Sequence, residues 1–501
     1  MLFRSLSIAI ASGALVHSAA AVKAKNFIYV VPDGYGVPSQ VFARDFYSIT
    51  NGQGTVARPD TAALGVDSIV IGTVKTQASD NLVTDSAASG TAFACGIPTY
   101  NGAIAVNDDG EPVASILEAA HLDGFKTGLV VTSRITHATP AVYAAHVLDR
   151  DSENEIAGHQ VGYNHPWGSV VDILIGGGRQ HYLPSSEGGS RTDSVNLVNW
   201  AIEKGFTYAA DKPDFLDVQE NGTLPLPFLG LFANSHMDYE IDRNIEEQPS
   251  LLETTKASIE TLVKATSDSE KGYFIMIEAS RIDHAGHSND ITSHLHETLM
   301  YNEVMLYLKE FVEAHPDTQL LSAADHECGG LTTPDGYDPT VLARGQHSGE
   351  YLAKVISSYE GDDLAGLLRD TILPAVGLQG YTESDIQNWA SASVSDAGSS
   401  ILAKFAAEAG VNWSTGGHTS ADIMLYGYVH GQENLNYMRD NIGGFRDNSE
   451  LPGYVAKVLG LSLEDATAKL RSNGTSFVQK RHLLREIKKR ANSIARAHSH
   501  E

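Results

Sequence analysis

Unbroken apolar runs of strand length recur along the chain, and each stops at a polar or glycine-rich turn. Asn26-Phe27-Ile28-Tyr29-Val30-Val31 ends at Pro32-Asp33-Gly34-Tyr35-Gly36, and Gly128-Leu129-Val130-Val131-Thr132 leads into Ser133 to Pro140. Val171-Asp172-Ile173-Leu174-Ile175 runs into a plain glycine turn at Gly176. Gly272-Tyr273-Phe274-Ile275-Met276-Ile277 is followed by Glu278, and Gln319-Leu320-Leu321-Ser322-Ala323-Ala324 by Asp325-His326-Glu327-Cys328. Runs without alternation suit strands buried on both faces, as in a parallel sheet. Helical patterns over 112–121, 251–265 and 293–314 lie between them. The expected fold is therefore α/β: a three-layer sandwich whose central, mainly parallel sheet is flanked by helices. Ligands bind such sheets beyond the carboxyl ends of the strands. Apart from the Gly176 turn, every one of these ends carries Asp, Glu, His or Thr.

Two stretches break the rhythm. Residues 180–223 are polar and rich in Gly and Ser, which predicts surface loops or an insert, and 335–415 reads as an excursion out of the sheet. The first residues have the form of an export signal: Arg4, an apolar segment over 6–16, then Ser18-Ala19-Ala20-Ala21, giving a signal peptide over 1–21. That apolar segment is short of the ~20 residues a spanning helix needs, and no later stretch reads as a stable membrane span. The sequons at Asn221, Asn412 and Asn473 agree with export and offer glycosylation sites. The expected organisation is thus a signal peptide, a catalytic domain over 22–479 with an insert at about 335–415, and a basic tail over 480–501.

Charge narrows the chemistry. A formal net charge of -27 opposes binding to nucleic acid or anionic membranes through a general surface field. It equally opposes anionic substrates, so phosphate chemistry needs concentrated local positive charge such as metal ions. The two cysteines, Cys95 and Cys328, are too few for a disulfide framework and read as buried free thiols.

Against that background, Val83-Thr84-Asp85-Ser86-Ala87-Ala88-Ser89-Gly90 places one serine where a turn becomes a helix. Unpaired N–H groups at a helix start suit an oxyanion, and Asp85 is equally well read as an N-cap. Asp283-His284-Ala285-Gly286-His287 sets a carboxylate and an imidazole four positions apart, on one side of a helical turn, as two ligands of one zinc would be. Asp325-His326 offers the same pair at a strand end, and Gly416-Gly417-His418 offers an imidazole on a flexible lead-in. No Gly-x-Ser-x-Gly elbow surrounds Ser86, so the chain supplies no ordinary triad.

Taken together, Pro32 to Gly36, Thr84 to Ala92, Thr136-His137-Ala138-Thr139-Pro140, Glu278 to His287, Ala324 to Glu327 and Thr415 to Thr419 resemble the motifs of the alkaline phosphatase family, in the family's order. The resemblance implies a smaller inserted, crown-like segment and a nucleophile, Ser86, that becomes phosphoserine. Arg150, eleven residues beyond Thr139, would clamp the phosphoryl oxygens. One zinc would be held by Asp283, His287 and His418, and a second by Asp33, Asp325 and His326 with Ser86. A magnesium would take Asp33, Thr139 and Glu278. His137 and His284 stand where bacterial members carry Asp and Lys, as they do in eukaryotic members, and would line the outer shell of the metals. Phosphate monoesters are the implied substrates and a homodimer the implied assembly, destined for the medium, the cell wall or, alternatively, the vacuole. Two other readings compete. A phosphodiesterase or sulfatase could use the same framework, although the Cys/Ser-x-Pro-x-Arg segment of a sulfatase is missing. An exported zinc- and magnesium-binding protein would need neither Ser86 nor Arg150.

Overall fold

The computed structural model describes residues 24–478; the expected signal peptide over 1–21 and the whole of the basic tail over 480–501 lie outside the described residues. A ten-stranded sheet forms the centre, in the order Gly444–Asp447, Val70–Lys75, Ile423–Val429, Thr318–Ala323, Asn26–Pro32, Tyr273–Ala279, Lys126–Arg134, Ile173–Gly177, Phe228–Leu231, Thr207–Ala209. Only Ile423–Val429 runs against its neighbours. The apolar runs behave as their lack of alternation predicts: Asn26–Pro32, Tyr273–Ala279 and Thr318–Ala323 are buried along their whole length, covered by helices on both faces.

The helix starts follow side-chain capping. Ser250 and Glu253 form a capping box for Leu251–Ala265, and Asp290 caps Ile291–Ala314, which starts two residues before the predicted 293. Ser115 and Glu118 likewise set the start of Ile116–Leu122, so the residues from Pro112 to Ser115 expected to be helical are not; Pro112 instead bridges Val106.

A second difference concerns 180–223, expected to be surface loops or an insert. It contains the helix Leu197–Glu203 and the strand Thr207–Ala209, which closes one edge of the main sheet beside Phe228–Leu231. Its Gly and Ser residues sit in the turns while Leu197, Ala201 and Ala209 reach the core. The 335–415 stretch does leave the sheet, but as helices with a separate apolar core in which Leu352, Ile386, Trp389, Ile401 and Phe405 pack with Phe42, Ile291 and Leu295.

Four adjacent strands, Thr318–Ala323, Asn26–Pro32, Tyr273–Ala279 and Lys126–Arg134, run parallel. At about 4.8 Å per strand their carboxyl ends span only ~14 Å. Residues up to 300 positions apart in the chain are thereby gathered at one edge.

Candidate active site

Ser86 opens the helix Ser86–Cys95, whose N-cap Asp85 accepts the Ala88 N–H and whose last turn is closed by Gly96 in the left-handed region (φ 77°). Asp85 does more than cap. Its other oxygen accepts from Gly102 N and from Arg150 Nη1, both at 3.0 Å. Arg150 Nη2 is 3.1 Å from His137 Nε2. A guanidinium only donates, so His137 Nε2 accepts and the ring is neutral; burial and then the Arg150 charge hold its pKa well below the usual imidazole range.

On the other side of Ser86, its Oγ lies 3.1 Å from His326 Nε2. That nitrogen is also 3.1 Å from Asp325 Oδ2 and 3.8 Å from Asp33 Oδ1. Asp325 Oδ1 is fixed by the N–H groups of Gly34 and His326, whereas Asp325 Oδ2 and both oxygens of Asp33 are buried without a hydrogen-bond partner. Gly34 is required at the turn: φ is +71° and a Cβ there would come within 2.6 Å of Asp283 Cα.

The third group forms around the helix Arg281–His287. Asp283 lies 3.4 Å from both His287 Nε2 and His418 Nε2. His418 arrives through a two-residue strand pairing, Glu327 opposite Thr419 and Cys328 opposite His418. His287 Nδ1 faces the Gly416 carbonyl and His418 Nδ1 the Thr84 carbonyl, each at 2.8 Å. A carbonyl only accepts, so each Nδ1 carries a proton and Nε2 of the neutral ring is the nitrogen left to ligate. Those two Nε2 atoms are 3.1 Å apart. Nitrogens so close need a proton or a metal ion between them. Burial works against charge on His418, yet the Asp283 carboxylate raises its pKa to about 8. Cys328, which belongs to this cluster, escapes sequence reasoning, although it stands only two residues past His326.

A fourth group lies deeper. Glu278 Oε2 accepts from Ser280 Oγ at 2.7 Å and Ser133 Oγ at 3.2 Å, while Oε1 has no partner. Thr139 Oγ1, in the short helix Ala138–Ala141, is buried and unpartnered, as are His137 Nδ1 and His284 Nδ1. The His137 and His284 rings stand 5.4 Å apart, and a third imidazole missed in the sequence, His236, lies 4.2 Å from His284. Burial, followed by Asp325, Asp283 and Glu278, drives the Asp33 pKa well above the usual carboxylate range, and Glu278 is pushed up to about 7, chiefly by burial.

This pattern tests whether cations fit. Burying carboxylates costs several kcal/mol each unless positive charge compensates, and here Asp33, Glu278, Asp283 and Asp325 are all buried with oxygens that nothing in the chain satisfies. The unsatisfied atoms converge on the strand ends. Asp33, Asp325 and His326 form one set able to hold an ion, and Asp283, His287, Cys328 and His418 another, each with donor atoms within 4.8 Å of one another. A serine at a helix start, a guanidinium and two carboxylate–imidazole clusters thus meet on the carboxyl edge of a parallel sheet, the parts that a metal-assisted phosphatase would need. The chain belongs to the alkaline phosphatase family, whose sequence model matches residues 24–461.

Relatives agree. The repressible alkaline phosphatase of Saccharomyces cerevisiae is 38% identical, over 90% of this chain and 84% of its own length. The alkaline phosphatase of Schizosaccharomyces pombe is 37% identical with the same coverage. Among solved structures, the Thermus thermophilus alkaline phosphatase superposes with a TM-score of 0.74 at 25% identity, covering 91% of this chain and 99% of its own.

Of the residues singled out from the sequence, Ser86, Asp33, Asp325 and His326 are brought together, as are Asp283, His287 and His418. Arg150 adjoins His137, and His137 adjoins His284. Asn221, Asn412 and Asn473 are exposed. Cys95 and Cys328 are buried and free, as expected. Among the described residues no helix is long and apolar enough to cross a membrane.

Proposed function

We propose that this chain hydrolyses phosphate monoesters through a phosphoserine at Ser86, using two zinc ions and one magnesium. Asp283, His287 and His418 would hold one zinc; Asp33, Asp325 and His326 with Ser86 the other; Asp33, Thr139 and Glu278 the magnesium. The imidazole and carboxylate donors of the first two sets suit zinc, and the all-oxygen third set suits magnesium. Ions bound there would lower the pKa of a coordinated oxygen acid and offset charge on the phosphoryl group.

Ser86 Oγ attacks phosphorus, the bond to the alcohol oxygen breaks, and the serine proton ends on the alcohol. Water then cleaves the phosphoserine, releasing phosphate and returning a proton to Ser86. Arg150, held by Asp85 and His137, offers two parallel N–H donors to phosphoryl oxygens in both steps. The protein is exported to the medium, the cell wall or the vacuole, glycosylated at one or more of Asn221, Asn412 and Asn473, and works as a homodimer.

One observation carries most of this reading: the 3.1 Å contact of Ser86 Oγ with His326 Nε2, which puts the hydroxyl within a metal ligand's reach of the second cluster. Metal analysis paired with p-nitrophenyl phosphate turnover, before and after chelation, tests it. Activity should vanish on chelation and return with zinc plus magnesium. Bound metal without phosphate release would favour a storage protein, and a strong preference for the methyl diester over the monoester a diesterase.

A further inference from the structure

Cys328 is the one member of the Asp283 cluster that the reading above leaves without a task. Its position is over-determined. Its N–H donates to the Gly34 carbonyl at 3.0 Å, its partner across the strand pair is His418, and a Cβ on Gly286 would sit only 3.1 Å from its Sγ. Three separate elements therefore hold this thiol in place, with its Sγ within 4.8 Å of an Asp283 carboxylate oxygen and Asp283 Oδ1 buried without a hydrogen-bond partner. Thiol and carboxylate are both shut off from solvent, at 0% and 3% exposure. Sγ stands within 4.8 Å of the donor atoms of Asp283, His287 and His418, so it is either a fourth ligand or a donor behind the ligands. A fourth protein ligand would close the tetrahedron, whereas catalytic zinc keeps one position open.

We infer that Cys328 is a positioning residue whose S–H donates to the Asp283 carboxylate and orients it for the zinc that Asp283, His287 and His418 would bind. The inference rests on the zinc assignment proposed above. Groups that orient a metal's ligands are typically worth about 10- to 100-fold in metal affinity. A hydroxyl can replace the thiol as donor, and a methyl group cannot.

The experiment compares full-length wild type, Cys328→Ser and Cys328→Ala in competition with a zinc chelator, alongside ultraviolet spectra of the cadmium-loaded proteins and steady-state kinetics. Asp283→Ala serves as the control for the site. Cys328→Ala should release zinc at about tenfold lower chelator or less, and Cys328→Ser should hold it within about threefold of wild type, the conservative rescue that a mere packing role would not require. Cadmium-loaded wild type should show no thiolate-to-metal band that Cys328→Ser removes. Equal zinc retention by wild type and Cys328→Ala overturns the inference. So does a cadmium–thiolate band lost in Cys328→Ser, because it makes Cys328 a ligand. Should Cys328→Ala fail to fold, the Cys328→Ser affinity and the cadmium spectrum still decide. If Asp283→Ala retains the same zinc as wild type, the zinc assignment itself fails, a result distinct from the other two.

Discussion

Asp85 is the residue at which folding and chemistry are hardest to separate, and replacing it pulls them apart. Asp85→Ala deletes the acceptor of the Ala88 N–H at the helix start and the two 3.0 Å contacts to Gly102 N and Arg150 Nη1. Losing an N-cap costs about 1 kcal/mol. A hydrogen bond between charged groups contributes about 1.5–3 kcal/mol. The low end applies, because the Arg150 and Asp85 side chains are 23% and 19% exposed and solvent screens the pair. About 1.4 kcal/mol is a factor of ten in affinity. Asp85→Ala should therefore raise the inhibition constant of inorganic phosphate about tenfold, with a parallel rise in KM, and lower stability by about 1 kcal/mol. Asp85→Asn keeps an oxygen for Ala88 but turns its amide donors toward Gly102 and Arg150. It should show the same loss of phosphate affinity at a smaller cost in stability. Phosphate inhibition titrations and urea melts on both variants give the two readouts. Unchanged phosphate inhibition in both would refute the claim that Asp85 positions Arg150.

A second prediction concerns a buried cluster away from the strand ends, where Glu118 Oε1 accepts from His146 Nε2 and His165 Nε2, both at 2.9 Å. His146 Nδ1 faces the Ala105 carbonyl, so both its nitrogens donate and the ring is an imidazolium. Glu118→Gln leaves that charge uncompensated and should cost about 3–5 kcal/mol in urea melts at pH 7; a loss under about 1 kcal/mol would contradict the charged assignment. The pH dependence follows from the same group. Burial opposes its charge but Glu118 holds the His146 pKa above 6.5, so its stabilisation is complete below 6.5 and fades as pH rises through the raised value. Burial holds His159 and His165 below 6.5, so their contribution fades as pH falls through their depressed values. Glu118→Gln should remove the alkaline decline in a stability–pH profile. Finally, His137→Ala deletes the neutral acceptor of Arg150 and should weaken phosphate inhibition by about two- to tenfold, with little change in thermal stability; no change in inhibition would mean that Asp85 holds Arg150 alone.

Much of the site is legible along the chain because parallel strands end where chemistry begins. Asp33, Glu278, Asp325 and His326 each stand at or just past the close of an apolar run, and the sheet does the gathering. Contacts made across the chain are not legible in that way. The capping role of Asp85 is visible three residues from Ala88, but its hold on Arg150 spans 65 positions. Cys328 comes beside Asp283 only because the helix Arg281–His287 packs against the short strand Glu327–Cys328. His236 reaches His284 from a loop whose sequence announces nothing. The Glu118, His146 and His165 cluster has no local spacing, since a helix start and two separate loops supply its members. Ile423–Val429 is equally silent: the unbroken apolar runs elsewhere in the sheet say nothing about the one strand that runs backwards.

The account stands or falls on where the phosphoryl group goes. Enzyme quenched in acid during turnover of a phosphate monoester, then digested and mapped by mass spectrometry, should carry one added phosphate on the peptide containing Ser86, and Ser86→Ala should carry none and lose most turnover. Phosphate on any other residue, or full turnover by Ser86→Ala, would contradict it.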